Sequence, residues 1–242
     1  MTKENIHVII RFRPNNKREL KEAREQKIQD KPPNFQNDDE QNIGVLEMHG
    51  LKSATPHNFT FDRILDSSVD QALTFEHVAE RVCDDVLDGY NGCIFAYGQT
   101  GSGKTYTMFG PEGQNAHPEH MGIIPRSISY IFTEIEEDEE ILEARIKVSF
   151  VEIYKERLRD LLNPSSKKPL TIRLGENGET RISNVTETHV LTLLDVLQLI
   201  EVANSFRTKA ETSMNHSSSR SHMLMTLTVA LRVEDGSIKV GK

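Results

Sequence analysis

Residues 93–105 read Cys-Ile-Phe-Ala-Tyr-Gly-Gln-Thr-Gly-Ser-Gly-Lys-Thr, an apolar run that passes directly into a glycine-rich segment. The apolar run, residues 93–97, is typical of a central strand in an α/β sheet. Residues 98–105 match the pattern G-x-x-x-x-G-K-[ST] in full, and a helix is predicted to begin near Lys104. A strand, a glycine-rich loop and a helix in this order predict a loop that binds phosphate.

Each residue type in this phosphate loop has a chemical purpose. Gly98, Gly101 and Gly103 allow backbone turns that side chains would forbid, and they direct N–H groups toward an anion. Lys104 supplies a positive charge for β- and γ-phosphates, and the Thr105 hydroxyl is a hard oxygen ligand suited to Mg²⁺. The loop therefore predicts a bound nucleoside triphosphate with Mg²⁺, and it leaves the base and the reaction open.

Apolar periodicity on both sides of the loop predicts strands that alternate with helices, hence an α/β fold with a central sheet. Residues 15–58 are polar and are interpreted as a surface insertion. Helices are predicted over residues 17–27 and 75–87, from Pro125, and from Thr192 with Asp195 in a capping box. Strands are predicted at residues 6–12, 45–49, 59–61, 93–97, 144–154 and 223–233, with a short pair around Ile172 and Ile182.

Composition limits the class of protein. The chain has 242 residues, 36% hydrophobic and 27% charged, as expected for one globular domain. No apolar run approaches the ~20 residues of a membrane span, which argues against membrane insertion. The net charge of −8 argues against a nonspecific nucleic-acid binder. The two cysteines are too few for a disulfide framework, and we interpret them as reduced thiols of a cytoplasmic protein.

A second polar cluster, residues 215–222, reads Asn-His-Ser-Ser-Ser-Arg-Ser-His and precedes the last long predicted strand. Such a cluster is typical either of a serine-rich turn or of a polar loop around a ligand. In a chain that also carries a phosphate loop, we interpret it as a loop that reaches the γ-phosphate and its metal ion.

Together these segments resemble the kinesin motor domain. Residues 94–105 are similar to the family's phosphate loop, and residues 215–222 are similar to its switch I, N-x-x-S-S-R-S-H. Three more segments resemble the family in the same order: Arg11-Phe-Arg-Pro14, Met121-Gly-Ile-Ile-Pro-Arg126 and Phe150-Val-Glu-Ile-Tyr-Lys-Glu-Arg-Leu-Arg-Asp-Leu-Leu162. The resemblance implies a P-loop NTPase-type central mixed β-sheet with helices on both faces. It also implies a cytoskeletal, microtubule-based motor that binds Mg-ATP and hydrolyses it.

The resemblance assigns the nucleotide to two groups of residues. Arg11 and Pro14 are expected to line the adenine, with Tyr106 stacking on the base at a position where the family often has His. The phosphates are expected to contact the whole loop: Gly98, Gln99, Thr100, Gly101, Ser102, Gly103, Lys104 and Thr105.

The resemblance assigns catalysis mainly to switch I. Ser218 and Ser219 are expected to contact the γ-phosphate, the attacking water and Mg²⁺, so that Ser219 joins Thr105 as a metal ligand. Asn215 is expected to orient the water, and Arg220 to pair with a glutamate of switch II. Lys104 completes the catalytic set, which acts by positioning and charge neutralisation.

The family's switch II, D-L-A-G-x-E, is expected after the strand that follows residue 242. The chain therefore resembles the N-terminal two-thirds of a motor domain, with its sheet incomplete at the C-terminal end. One alternative is a fragment that binds nucleotide or microtubules without ATP turnover. A P-loop kinase or GTPase is more remote, and the guanine-specifying N-K-x-D is absent from the sequence.

The resemblance also indicates a tubulin contact. Lys167, Lys168, Arg173 and Arg181 lie in and before the predicted pair of short strands, where the family touches the acidic tubulin surface. The alternative is an ordinary solvated hairpin. Direction of movement, cargo and oligomeric state are expected to depend on segments outside these residues.

Overall fold

The structure, a computed structural model, describes residues 6–25, 34–39, 43–48, 56–111, 117–175, 178–214 and 221–242. The described helices are α1 (Lys17–Glu25), α2 (Gln71–Phe75), α3 (Arg81–Leu87), α4 (Lys104–Phe109), α5 (Ile123–Glu137) and α6 (Leu193–Met214). The described strands are β1 (Ile9–Arg11), β2 (Asn34–Asp38), β3 (Ile43–Met48), β4 (His57–Phe61), β5 (Arg63–Leu65), β6 (Ile141–Tyr154), β7 (Arg157–Asp160), β8 (Thr171–Leu174), β9 (Thr180–Ser183), β10 (Thr188–Val190), β11 (Ser221–Val233) and β12 (Ile238–Gly241). The chain divides into two compact units, Met1–Val78 with Ala96–Ile123 and Ala79–Phe95 with Ile124–Lys242.

The first unit is built around a short parallel pair of strands. β1 pairs with β5 in a register that places Ile10 opposite Ile64, and Ile64 and Leu65 are buried. β2, β3 and β4 form a separate antiparallel sheet, in which Leu46 is buried. The residues after Arg11 leave the carboxyl end of the parallel pair, which is the edge where open α/β sheets bind ligands.

The described parts of the polar segment 15–58 form regular structure. The predicted short helix is confirmed as α1, and the strand expected near residues 45–49 corresponds to β3. β2 was not predicted because its sequence, Asn-Phe-Gln-Asn-Asp, lacks apolar alternation. In β2, Asn37 is held by hydrogen bonds, since its side chain donates to the Ile64 carbonyl at 2.9 Å and accepts from the Ile64 N–H at 3.1 Å.

The helical region that includes α2 and α3 begins earlier than the predicted start at residue 75. Asp70 caps α2, because its Oδ1 accepts the Leu73 N–H at 2.8 Å. A π-helical turn, Glu76–Glu80, joins α2 to α3. Three buried apolar side chains, Phe75, Ala79 and Val86, belong to the pattern that predicted the helix, and Cys83 is buried beside them.

The second unit contains a five-stranded antiparallel sheet. Its strand order is β10-β6-β11-β12, and β7 also pairs with β6. Phe150 of β6 lies opposite Met225 of β11, which confirms the strands predicted at residues 144–154 and 223–233. The buried side chains of these two strands include Ile146, Val148, Phe150, Val151, Val229 and Leu231.

α6 begins where the sequence predicted a helix, while α5 begins at Ile123, two residues before the predicted start at Pro125. At the start of α6, Asp195 Oδ2 accepts the N–H groups of Leu191 and Thr192, each at 2.9 Å. Thr192 Oγ1 accepts the Asp195 N–H at 3.2 Å, so the predicted capping box is confirmed. Across the described ranges of the chain, no helix combines the length and apolar character that crossing a bilayer requires.

The strand predicted at residues 93–97 is wrong. The structure assigns no strand there, and Phe95 and Tyr97 are 76% and 95% exposed. A strand requires hydrogen bonds to a neighbouring strand, and no described segment is paired with these residues. The apolar composition of residues 93–97 thus predicted a buried strand, but the described residues do not cover Phe95 and Tyr97.

Candidate functional site

The backbone of the phosphate loop takes conformations that favour glycine. Gly98 has a φ of 153° and Gly103 a φ of 97°, both in the region that side chains disfavour. A Cβ at Gly98 would also lie 2.6 Å from the Ser102 hydroxyl oxygen. Gly103 precedes α4 directly, so the left-handed residue is the point where the loop becomes the helix.

The Lys104 side chain folds back across the loop. Its Nζ donates to the carbonyl of Gly98 at 2.8 Å and to the carbonyl of Gln99 at 2.9 Å. These bonds use two of the three N–H donors of the ammonium group. The positive charge is therefore held beside the loop backbone by neutral acceptors, and the Thr105 side chain next to it is exposed.

Arg13 fixes the middle of the phosphate loop from outside. Its Nε donates to the Gly101 carbonyl at 2.8 Å. Its Nη1 and Nη2 donate to the two carboxylate oxygens of Glu19 at 2.7 and 2.5 Å. Arg13 lies within the segment Arg11-Phe-Arg-Pro14, and the sequence analysis assigns it no role. Its charge and its place just after the predicted strand at residues 6–12 could have marked it as a functional residue.

The structure brings together Arg11 and Tyr106, two residues that the resemblance assigns to the base. The Arg11 guanidinium carbon lies 5.8 Å from the centre of the Tyr106 ring, a cation–π distance. Arg11 Nη1 also donates to Thr107 Oγ1 at 3.1 Å, and Nη2 to the Val69 carbonyl at 3.4 Å. Burial lowers the pKa of Arg11, while the charges of Tyr106 and Asp70 raise it.

Tyr106 is 44% exposed, so one side of the ring pair remains accessible. Pro14 is exposed as well, and its carbonyl accepts from Arg13 Nη1 at 3.0 Å. The role of these residues in binding a base stays a prediction.

Gln71 is a member of this cluster that sequence reasoning missed. Its Oε1 accepts from Arg11 Nη1 at 2.8 Å, and its Nε2 donates to the Tyr106 carbonyl at 2.7 Å. The side chain is 2% exposed. A glutamine directly after the helix cap Asp70 is ordinarily solvated, so the sequence offered no signal for its burial.

Four predicted residues of switch I, namely Asn215, Ser218, Ser219 and Arg220, lie outside the described residues. Only the last two residues of the cluster are described, at the start of β11. Ser221 is buried, and its Oγ accepts from Arg207 Nε at 3.2 Å. The arrangement of switch I around the phosphate loop therefore stays a prediction.

The pair of short strands predicted around Ile172 and Ile182 is confirmed as the antiparallel pair β8–β9, with these two residues opposite each other. On the other face, Arg173 lies directly opposite Arg181. Arg181 forms an ion pair with Glu179. Lys167 and Lys168, just before β8, are both exposed.

Comparison with known proteins places these features in one family. The family model described as kinesin motor domain matches residues 11–242. Kinesin-related protein 5 of Dictyostelium discoideum is 41% identical over 241 residues, which is 98% of this chain and 23% of that protein. Kinesin-related protein 3 of the same organism is 38% identical over 239 residues, 98% of this chain and 19% of that protein.

The kinesin heavy chain of Neurospora crassa is 36% identical over 239 residues, 98% of this chain and 24% of that protein. A solved structure described as that of a fast kinesin superposes with a TM-score of 0.82 at 35% identity, over 98% of this chain and 63% of the other. The fold class predicted from the sequence is thereby confirmed. The chain spans about a fifth to a quarter of the length of the curated relatives it matches.

Proposed function

Because the chain belongs to the kinesin motor-domain family, we propose that it binds Mg-ATP and couples ATP hydrolysis to movement along microtubules. The observation that carries the proposal is the phosphate loop. Its glycines occupy positive-φ positions, and Lys104 Nζ is held at 2.8 Å from the Gly98 carbonyl. A lysine ammonium held beside a glycine-rich turn supplies positive charge, which suits a polyphosphate rather than a neutral ligand.

The donor set of the loop is compatible with Mg²⁺. Thr105 is exposed directly after Lys104, and a hydroxyl is the kind of hard oxygen ligand that Mg²⁺ takes alongside phosphate oxygens. In the proposed site Thr105 and Ser219 would hold the ion, which would supply positive charge to offset that of the phosphates. Asn215 and Ser218 position the attacking water, and Arg220 closes the site.

On the base side, Tyr106 stacks on the adenine while Arg11 and Pro14 line it. The support is the pairing of the Arg11 guanidinium with the Tyr106 ring, whose exposed fraction of 44% leaves a face for the base. Aromatic stacking is tolerant of base identity because every base has a π-face. The surroundings of the ring must therefore supply preference for one base over another.

The proposed microtubule contact is the β8–β9 pair with the lysines before it. Arg173 and Arg181 face each other across the strands, an arrangement of like charges that is unfavourable in isolation. Glu179 offsets one of the two charges. An acidic tubulin surface would offset the remaining excess, which also includes Lys167 and Lys168. We accordingly propose a cytoplasmic location on microtubules.

The test is ATP turnover by the full-length gene product with and without microtubules. The expected result is Mg-dependent hydrolysis that rises many-fold at saturating microtubules. Turnover that microtubules leave unchanged would contradict coupling. Binding of Mg-ATP and microtubules without turnover would instead identify a binding module.

A further inference from the structure

The side chain of Gln71 joins three separate segments of the first unit. Its Oε1 accepts from Arg11 Nη1 at 2.8 Å, and its Nε2 donates to the main-chain carbonyls of Tyr106 at 2.7 Å and His120 at 3.4 Å. At 2% exposure, it is among the most buried polar side chains in the described part of the chain. Such a group is retained only when its hydrogen bonds are satisfied, because an unpaired buried amide is costly.

The bonds of Gln71 fix Arg11 without cancelling its charge. The hydrogen-bond acceptors of Arg11 among the described residues are Gln71 Oε1, Thr107 Oγ1 and the Val69 carbonyl, which are all neutral. The neighbouring Arg13 differs, because its guanidinium meets the carboxylate of Glu19. No carboxylate accepts a hydrogen bond from Arg11 in this set, although the charge of Asp70 acts on it, and the position of Arg11 against the Tyr106 ring is set by a neutral amide.

We propose that Gln71 is a positioning residue for the base of the nucleotide. It acts through Arg11 and through the main chain of Tyr106, and it does not touch the ligand. By holding both groups, it pre-organises the surface on which the base stacks, so less ordering is required when the base binds. This inference rests on the nucleotide-binding function proposed above, and it adds a residue that lies sixty positions from Arg11 in the sequence.

The proposal separates the base from the phosphates, and two probes measure them independently. Mg-ATP contacts both parts of the proposed site, whereas Mg-tripolyphosphate carries the phosphates alone. A residue that serves the base subsite changes the affinity for the first probe only. A residue that merely supports the fold changes both affinities or neither.

The variant Gln71→Met keeps the side-chain volume and removes the hydrogen bonds. In the full-length gene product we expect calorimetry to show Mg-ATP binding weakened about tenfold, the effect of losing one or two hydrogen bonds. Binding of Mg-tripolyphosphate is expected to stay within about twofold of the unmutated protein, because the phosphate loop is untouched. Equal weakening of both probes, or of neither, would overturn the proposal.

Gln71→Glu is a second variant of nearly identical shape, used where Gln71→Met does not fold. Its carboxylate would pair with Arg11, cancel the charge and face the Tyr106 carbonyl without a proton to donate. The same selective loss of Mg-ATP affinity is expected, and retention of that affinity would again overturn the proposal.

Thr74→Val is the matched control on the same helix. Thr74 is 1% exposed, and its Oγ1 donates to the Asp70 carbonyl at 2.5 Å. The change removes a buried hydrogen bond that does not reach Arg11. It is expected to lower stability and to leave the ratio of the two affinities unchanged.

A double-mutant cycle tests the route of action. If Gln71 works through Arg11, the change Gln71→Met is expected to add less than about twofold to the loss caused by Arg11→Ala. Fully additive losses would overturn the part of the proposal in which Gln71 acts through Arg11. Failure of the unmutated protein to bind Mg-ATP would defeat the proposed function itself, whereas normal binding with an unchanged probe ratio in Gln71→Met would defeat this inference alone.

Discussion

Arg13 and Glu19 form a two-pronged ion pair, with Nη1 and Nη2 of the guanidinium 2.7 and 2.5 Å from the carboxylate oxygens. Glu19 also accepts the Asn16 N–H at 2.9 Å, while Asn16 Oδ1 accepts the Glu19 N–H at 2.9 Å. This reciprocal arrangement caps α1. Since Arg13 also donates to Gly101, the start of α1 and the phosphate loop share one guanidinium.

The ion pair predicts an acid-sensitive contribution to stability. The hydrogen bond from Arg13 is the main cause that lowers the pKa of Glu19 from 4.5 to about 2. A carboxylate whose pKa is lowered on folding stabilises the fold above its unfolded pKa and loses this effect as the pH falls through the folded value. The melting-temperature difference between the unmutated protein and Glu19→Gln is therefore expected to be full at neutral pH and to shrink between pH 4.5 and about 2.

Glu22→Gln is the control for this experiment. Glu22 pairs with Arg18 on the same helix at 2.6 Å, and both side chains are well exposed. An exposed pair of this kind contributes little to stability. At neutral pH, Glu22→Gln is expected to shift the melting temperature less than Glu19→Gln does. If the melting-temperature difference between the unmutated protein and Glu19→Gln stays constant down to about pH 2, the ion pair with Arg13 does not lower the pKa of Glu19 as described.

A second prediction concerns the left-handed residue that ends the phosphate loop. Gly103 has a φ of 97°, and an added Cβ would lie 3.7 Å or more from other atoms, so Gly103→Ala strains only the backbone. Gly178, with a φ of 80° and open space around it, is a matched control in the turn between β8 and β9. Each change is expected to cost about 1–2 kcal/mol of unfolding free energy, measured with urea. Only Gly103→Ala is expected to weaken Mg-ATP binding. Equal Mg-ATP affinities in the two variants would show that the loop conformation at Gly103 does not contribute to binding.

The third prediction concerns the charge at the loop. Lys104→Ala removes the cation that lies beside the Gly98 and Gln99 carbonyls. Charge-assisted contacts contribute about 1.5–3 kcal/mol each, so Mg-ATP affinity measured by calorimetry is expected to fall at least tenfold. Lys239→Ala is the control. Lys239 and its partner Asp88 both belong to the second unit, and the change likewise removes one positive charge. Unchanged affinity in Lys104→Ala would refute the phosphate-loop assignment.

Local signals in the sequence predicted much of the fold. The capping box at Thr192 and Asp195 is a pattern of adjacent residues, and its hydrogen bonds form as expected. The alternation in β6 and β11 is likewise readable from the sequence alone. The pair of short strands around Ile172 and Ile182 is also predicted from the sequence, where it follows a turn region, and the structure places these two residues opposite each other.

Features that depend on distant partners could not be predicted in the same way. The apolar composition of residues 93–97 indicated a strand, but strand formation depends on a neighbour that composition does not specify. β2 has a polar sequence and is held by the Asn37 side chain. Apolar periodicity therefore does not reveal it. The burial of Gln71 depends on Arg11 and Tyr106, each tens of residues away, so no local window contains the interaction.

The fourth prediction concerns the tight turn between β6 and β7. Lys155 and Glu156 both have positive φ, 48° and 60°, which side chains disfavour. Tyr154 and Arg157 pair across the turn, so these two residues form its centre. Glu156→Gly is expected to raise the unfolding free energy by about 1 kcal/mol, because glycine takes this conformation without strain. Glu156→Ala keeps the strain and is the control, so equal stability of the two variants would contradict the argument.

The last prediction addresses the proposed microtubule contact. Changing Lys167 and Lys168 to Glu reverses two exposed charges before β8 without altering any buried group. If the β8–β9 region meets acidic tubulin, co-sedimentation with microtubules is expected to weaken several-fold at low salt, and the difference is expected to narrow at high salt through screening. The control reverses Arg18 and Lys21 on α1, which are 85% and 77% exposed, and so makes the same change in net charge elsewhere. If both pairs of changes weaken co-sedimentation equally, the effect comes from net charge alone. If co-sedimentation is unchanged at every salt concentration, Lys167 and Lys168 are not part of the interface.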